Sequence, residues 1–391
     1  MSVKWPMVRL GEVLTLDVDA VAVVPTDVYP MAGVYSFGRG LFHRSPLLGA
    51  ETTYPRLHRL RTGQIVLSQL KAWEGAIARV TDAFDGNFLS PQFPTFRPRR
   101  GRADATYVEW YCRLPALWAA LQRGARGMGA RRDSVSPERF LDVELPLPPL
   151  PEQRRIVATV ESAARLIDRC RDERATAGRQ LEGLLLGAYS RLIEGAERCP
   201  MRGIAPVVRR PVEVHPDRRY LEIGTRSFGR GLFRKPPVDG LVLGDKRVYT
   251  IRRGDLIFMN VFAWEGAVAV ASDAEDGLIG SHRYITCVPE PHTALSQFLC
   301  FHFLTPRGLS ELGEASPGGA GRNRTLGVEK LERIEVPVPH LDRQKMFVEL
   351  MMQVEHVRSL HEDCSALAQG LMKSHVHRLL GAETEVPGAS S

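Results

Sequence analysis

A chain of 391 residues is longer than one hydrophobic core usually organises, so two or three domains are expected. Lys and Arg number 52 against 45 Asp and Glu, a net charge of +7, which is the sign a nucleic-acid partner favours but is weak evidence taken alone. The six cysteines form no Cys-x-x-Cys pair, Met1 to Leu10 holds no basic segment leading into an apolar one, and no apolar run reaches membrane-spanning length; neither a zinc site nor a disulfide framework is indicated, and a soluble protein of a reducing cytoplasm is the expectation.

The first distinctive segment, Ser36-Phe37-Gly38-Arg39-Gly40-Leu41-Phe42, returns 191 positions later as Ser227-Phe228-Gly229-Arg230-Gly231-Leu232-Phe233. The offset holds without a gap: Ala72-Trp73-Glu74-Gly75-Ala76 matches Ala263-Trp264-Glu265-Gly266-Ala267, and 22 of the 51 positions from Ser36 to Gly86 are identical. Composition cannot produce that agreement, so the chain is a tandem duplication that does one thing twice. Short strands broken by Gly and Pro fill the first part of each repeat, as in Gln64-Ile65-Val66-Leu67-Ser68 after Gly63 and Asp255-Leu256-Ile257-Phe258-Met259 after Gly254. Helical patches follow, around Tyr107 to Arg123 and Ala294 to Glu314. Arginines gather in loop-like stretches: Arg97, Arg99, Arg100 and Arg102, then Arg123, Arg126, Arg131 and Arg132, and in the second repeat Arg226, Arg230, Arg234 and Lys235, then Arg322 and Arg324.

Each repeat leaves through prolines. Leu145-Pro146-Leu147-Pro148-Pro149-Leu150-Pro151 reads as an extended strut, because proline lacks the amide donor and holds its predecessor extended. Proline then disappears from Glu152 to about Ile193, where Ile156, Val160, Ala163, Ile167, Cys170, Ala177, Leu181, Leu184, Ala188 and Leu192 recur at coiled-coil-like steps. After Pro339 the second repeat does the same with Phe347, Leu350, Val354, Val357, Cys364, Ala368 and Leu371, Arg174 and His361 interrupting the seams. The fold class is α/β of the α+β kind: mixed domains at 1–150 and 199–340, long helices at 151–198 and 341–380 paired antiparallel about a pseudo-twofold axis, and a flexible tail at 381–391.

Catalytic signatures are missing. No Gly-x-x-x-x-Gly-Lys-Ser/Thr loop occurs, no Asn- or Asp-Pro-Pro-Tyr/Phe tetrapeptide of amino-methyltransferases, and Gly38-Arg39-Gly40 lacks the third glycine and flanking strand of a dinucleotide loop. No catalytic residue, metal site or cofactor is expected in this chain. The repeated segment offers instead Arg39 with Arg44 nearby, and Arg230 with Arg234 and Lys235. Arginine suits the guanine edge in the major groove and its cationic neighbours suit phosphates; the plainer reading is a turn that glycine permits. Trp73 and Trp264 read either as core residues at a glycine turn or as exposed contacts to base or sugar. Glu74 and Glu265 can accept from a cytosine amino group, and Gln69 and Asn260, at equivalent positions, can face adenine. His282 and Arg283 follow Ser281, whereas the first repeat has Ser90-Pro91-Gln92, a place where two readers of different sequences would diverge.

These features resemble the specificity subunit of type I restriction-modification systems over nearly the whole chain. The resemblance rests on the opening Trp5-Pro6-Met7-Val8-Arg9-Leu10-Gly11-Glu12-Val13, echoed by Cys199-Pro200-Met201, and on the exit Leu145-Pro146-Leu147-Pro148-Pro149-Leu150-Pro151-Glu152-Gln153-Arg154-Arg155-Ile156 entering a long helix. The Gly-rich stretch Ser316-Pro317-Gly318-Gly319-Ala320-Gly321-Arg322-Asn323-Arg324 adds to it. The second exit departs from the pattern at His340, Asp342 and Arg343. The resemblance implies two target recognition domains, each reading half of a split double-stranded DNA site, on helices that act as spacer and dock two methyltransferase subunits. S-adenosylmethionine, ATP and Mg would belong to those and to the restriction/translocase subunits. Two similar readers related by a twofold would read a partly palindromic site. The competing readings are a stand-alone DNA-modifying or DNA-cleaving enzyme, for which Asp82, Asp85, Asp273 and Asp276 are candidates better explained by Asp-Gly turns, and a scaffold that does not touch DNA.

Overall fold

The computed structural model describes residues 5–123, 134–318 and 324–380. The tail at 381–391, Arg126, Arg131, Arg132 and Arg322 therefore lie outside the described residues. The chain divides into two compact units, one of residues 1–172 with 363–391, the other of residues 173–362. Among the described residues no helix is long and apolar enough to cross a membrane.

In the first unit a four-stranded antiparallel sheet runs in the order Ile77–Arg79, Ile65–Leu67, Thr95–Pro98, Leu14–Leu16. Its strands are short because Gly63 and Gly75, both at positive φ, turn the chain at their ends. Beside it lies a three-stranded sheet of Phe88–Leu89, Arg56–Arg59 and Asp19–Ala22. The hairpin Ala32–Val34 with Leu41–His43 carries the first copy of the repeated heptapeptide in its loop and the start of its second strand. Two helices, Ala105–Cys112 and Pro115–Arg123, cover the core, the former capped by the Asp104 carboxylate, which accepts from the amides of Thr106 and Tyr107. The exit strand Glu144–Pro146 pairs with Met7–Arg9 and so returns to where the chain entered.

The second unit repeats this plan at the same offset. Leu256–Met259 pairs with Val268–Val270 and Tyr284–Cys287, the hairpin Ile223–Thr225 with Leu232–Arg234 carries the second heptapeptide, helices Ser296–Leu304 and Pro306–Ala315 cover the core, and Arg198–Pro200 pairs with the exit Glu335–Pro337. These mixed α+β units agree with the fold class read from the sequence.

The two long helices span Leu150–Leu192 and Leu341–Leu379. The first is about 65 Å long at 1.5 Å per residue. The proline strut is shorter than expected, since Leu150 and Pro151 already belong to the first helical turn, where a missing amide costs nothing. Each unit contains the start of one long helix and the end of the other. In the first, Ile156 and Val160 join Val376 and Leu380 in the core formed with Leu10, Tyr107 and Phe140; in the second, Leu185 and Tyr189 join Phe347 and Val354 in the core formed with Phe258 and Phe298.

The expected stripe needs correction. Cys170, Leu184, Val357, Cys364 and Leu371 are exposed, and the buried face of the first helix in the second unit runs through Leu185 and Tyr189. The reason is that this face meets the sheet-covering helix as well as the other long helix. The Tyr189 ring packs at a tilt against Phe298 at 5.7 Å, Phe301 at 5.2 Å and Phe347 at 5.8 Å, so a globular core and not a two-helix seam sets the phase.

Candidate nucleic-acid interface

The two most strongly repeated blocks, separated by about thirty residues of sequence, form one structure. The amides of Phe37 and Gly38 donate to the carbonyls of Glu74 and Gly75 at 2.8 and 2.9 Å; in the second unit Phe228 and Gly229 donate to Glu265 and Gly266 at the same distances. Ser36 Oγ donates to the Glu74 carboxylate at 3.0 Å, and Ser227 Oγ to Glu265 at 3.3 Å. The receiving turn is a short 3-10 helix, Ala72–Glu74 or Ala263–Glu265, closed by Gly75 or Gly266 in the left-handed region.

Held this way, the heptapeptide takes a shape that sequence reasoning missed. Phe37 and Phe228 have φ of 64° and 62°, the only positive-φ non-glycine residues among those described, and the two residues are 63% and 72% exposed. An L-residue in this region costs about 1–2 kcal/mol, here offset by the paired backbone hydrogen bonds. The legible signal was Phe kept identical in both repeats immediately before a glycine pair. Beside the aromatic sits the arginine: Arg39 donates through Nε to the Ser36 carbonyl at 3.1 Å and lies 4.8 Å over the Tyr35 ring, while Arg230 lies 5.9 Å from the Phe228 ring. Both are exposed, as is Arg44. Arg234 donates through Nε to the Ala274 carbonyl at 3.1 Å, and half-buried Lys235 stands 3.9 Å from Glu222.

The remaining candidates divide. Trp73 and Trp264 are half-buried, each donating its indole N–H to a carbonyl three residues earlier, Leu70 at 3.1 Å and Val261 at 3.0 Å. Arg324 covers the Trp264 ring at 5.3 Å. Glu74 also faces Lys71 Nζ at 3.5 Å, so its carboxylate already anchors the loop and its neighbour. Gln69 and Asn260 lie behind this turn, with backbone bonds to Gln92 and Arg283; the Asn260 Oδ1 is buried with no hydrogen-bond partner. His282 and Arg283 are exposed beyond the same turn. Some other basic residues are committed to carboxylates: Arg97 to Asp17 at 2.6 Å, Arg252 to Asp276, and Arg253 to Asp273. Arg59 and Arg61 likewise grip Asp19, whose carboxyl the Arg59 hydrogen bond holds below the usual range. Each unit thus presents an aromatic ring and an arginine on a loop anchored by hydrogen bonds, with further cations alongside. That combination suits stacking and phosphate or base-edge contact. Among the described residues no group of three or more His, Cys, Asp or Glu is placed to hold a metal ion.

No protein-family model and no curated protein matches the sequence. Solved structures do match. The HsdS subunit from Thermoanaerobacter tengcongensis superposes over 97% of both chains with a TM-score of 0.61 at 19% identity. A chain from a structure on complex assembly and conformational transition of the type I R-M system superposes over 97% of this chain and 98% of its own, with a TM-score of 0.69 at 20% identity. A duplicated α+β protein threaded by two long helices is thus an architecture already known. It is the HsdS fold, the one that the sequence motifs resemble.

Proposed function

We propose that this chain is the DNA-reading specificity subunit of a type I restriction-modification complex. The observation that carries the reading is the HsdS fold over 97% of the chain, joined to a reading loop duplicated at identical sequence. Each unit reads one half of a split double-stranded site. Arg39, Arg44, Arg230, Arg234, Lys235 and Arg324 meet phosphates and base edges, with His282 and Arg283 specific to the second half-site. Because both heptapeptides have one sequence and one backbone shape, the half-sites are related and the target is partly palindromic.

The chain itself performs no chemistry in this reading. Methyl transfer from S-adenosylmethionine belongs to two methyltransferase subunits, and ATP- and Mg-dependent translocation and cleavage to restriction subunits. Exposed Met346, Met352, Leu367 and Leu371 on the second long helix supply apolar surface for those partners. Modified-base sequencing of cells with and without this chain, beside a cognate methyltransferase, tests the reading. A split motif methylated on both strands only when the chain is present is expected. Methylation independent of the chain overturns the function, and two unrelated half-sites overturn the palindrome.

A further inference from the structure

Two polar side chains are completely buried at the start of the long helices. Gln153 and Gln344 are both 0% exposed. Gln153 Nε2 donates to the carbonyls of Pro148 at 2.8 Å and Arg102 at 3.0 Å, and its Oε1 accepts from the Asp104 amide at 2.8 Å. Gln344 Nε2 donates to Pro339 at 2.8 Å and Thr293 at 2.9 Å, and its Oε1 accepts from the Leu295 amide at 3.0 Å. Every partner in the second set lies at the same 191-residue offset from its counterpart, although Asp104 and Leu295, and Arg102 and Thr293, differ in side chain. What is retained is the amide geometry on main-chain atoms.

Those atoms belong to different parts of each unit. Pro148 and Pro339 lie on the struts that deliver the chain into the helices. Arg102–Asp104 and Thr293–Leu295 lead into the helices that cover the sheet, Asp104 and Leu295 being their N-cap residues. One carboxamide therefore ties a long helix to its own globular part at three points. Only glutamine fits: two donors and one acceptor are needed at once, a glutamate would set a buried carboxylate against two carbonyls, and an apolar residue would leave two carbonyls and an amide unpaired.

We propose that Gln153 and Gln344 are positioning residues that fix the direction of each globular part on its helix, and that they thereby set the permitted distance between half-sites; this second part rests on the DNA-reading function proposed above. A globular part of about 150 residues has a radius of gyration of about 15 Å. A tilt of about 13° at the joint moves a point about 15 Å away by about 3.4 Å, one base-pair step, and surface atoms by somewhat more. A joint that holds the tilt below this separates one spacing from the next.

The test uses the full chain with Gln153→Glu or Gln344→Glu. In a background where exposed Cys170 and Cys364 are serine, spin labels at exposed positions 83 and 162 report the distance between globular part and helix within the first unit. Gln153→Glu should broaden that distribution. With the methyltransferase and a library of half-sites at varied spacing, both variants should keep the half-site bases but lose the single-spacing preference. An unchanged distance distribution overturns the joint whatever happens on DNA. A broadened one with methylation confined to the original spacing overturns the role in spacing. If the parent chain directs no split-motif methylation, the functional reading falls and the spacing role with it, while the distance measurement still decides the joint. Where circular dichroism shows that the glutamate variant is unfolded, Gln153→Met, uncharged and similar in length, is read in the same two measurements.

Discussion

Gly75 and Gly266 occupy the same position of the same pentapeptide, yet alanine should be tolerated very differently at the two. Both have φ near 79°, so either substitution carries the left-handed penalty of about 1–2 kcal/mol. The surroundings separate them. A Cβ on Gly75 would lie 2.4 Å from Cε2 and 2.5 Å from Cζ2 of Trp118, a ring pinned by its indole N–H, which donates to the Cys112 carbonyl at 2.8 Å. A Cβ on Gly266 meets methyls of Leu304 and Leu309 at 3.3 and 3.4 Å and the Phe228 Cα at 3.4 Å, close to ordinary van der Waals contact, so only the Leu304 methyl has to give slightly. Overpacking of the first kind adds about 1–3 kcal/mol. Gly75→Ala should therefore destabilise its loop by about 2 kcal/mol more than Gly266→Ala, equivalent to roughly thirtyfold faster opening. Hydrogen–deuterium exchange of the full chain reads this at the Phe37 and Gly38 amides against those of Phe228 and Gly229, the groups that close each loop onto its turn. Equal acceleration in the two units, or greater acceleration in the second, would refute the assignment of the Trp118 ring as the deciding contact.

Removing the loop cations should weaken DNA binding. Arg39→Ala and Arg230→Ala should each lower the salt slope of binding by about 0.9 where the contact is to phosphate, or cost about 1–3 kcal/mol at one half-site only where it is to a base edge; fluorescence anisotropy across a salt series distinguishes these, and unchanged binding sinks both. In the second unit burial pushes the Glu311 carboxyl upward, but hydrogen bonds from His302, Arg307 and Arg198 outweigh it and hold the group below its ordinary range. A depressed folded-state value means that this stability is fully present above the ordinary carboxylate range and is lost as pH falls through the depressed value. Glu311→Ala, with its side chain only 18% exposed, should cost about 3 kcal/mol at neutral pH, the scale of a buried pair left half-made. Urea denaturation should also show a smaller loss of stability in acid than the parent chain suffers, and an undiminished acid loss would assign it to other groups.

The sequence by itself determined whatever is periodic or punctuated. The 191-residue offset announced two equivalent units, glycines marked the strand ends at Gly63 and Gly254, and a proline-rich exit followed by a proline-free run announced each long helix, because backbone sterics and the missing proline amide act locally. Only the tertiary structure decided which distant segments share a surface. Docking of Ser36–Phe42 onto Ala72–Ala76 exposes a strained phenylalanine, and the buried carboxamides of Gln153 and Gln344 close onto carbonyls about fifty residues earlier. The same holds for the phase of the first long helix, in which Leu185 and not Leu184 is buried. Heptad spacing finds a stripe, but which neighbouring residue turns inward depends on the aromatic core that the helix meets. That core is assembled from chain segments whose encounter no local pattern encodes.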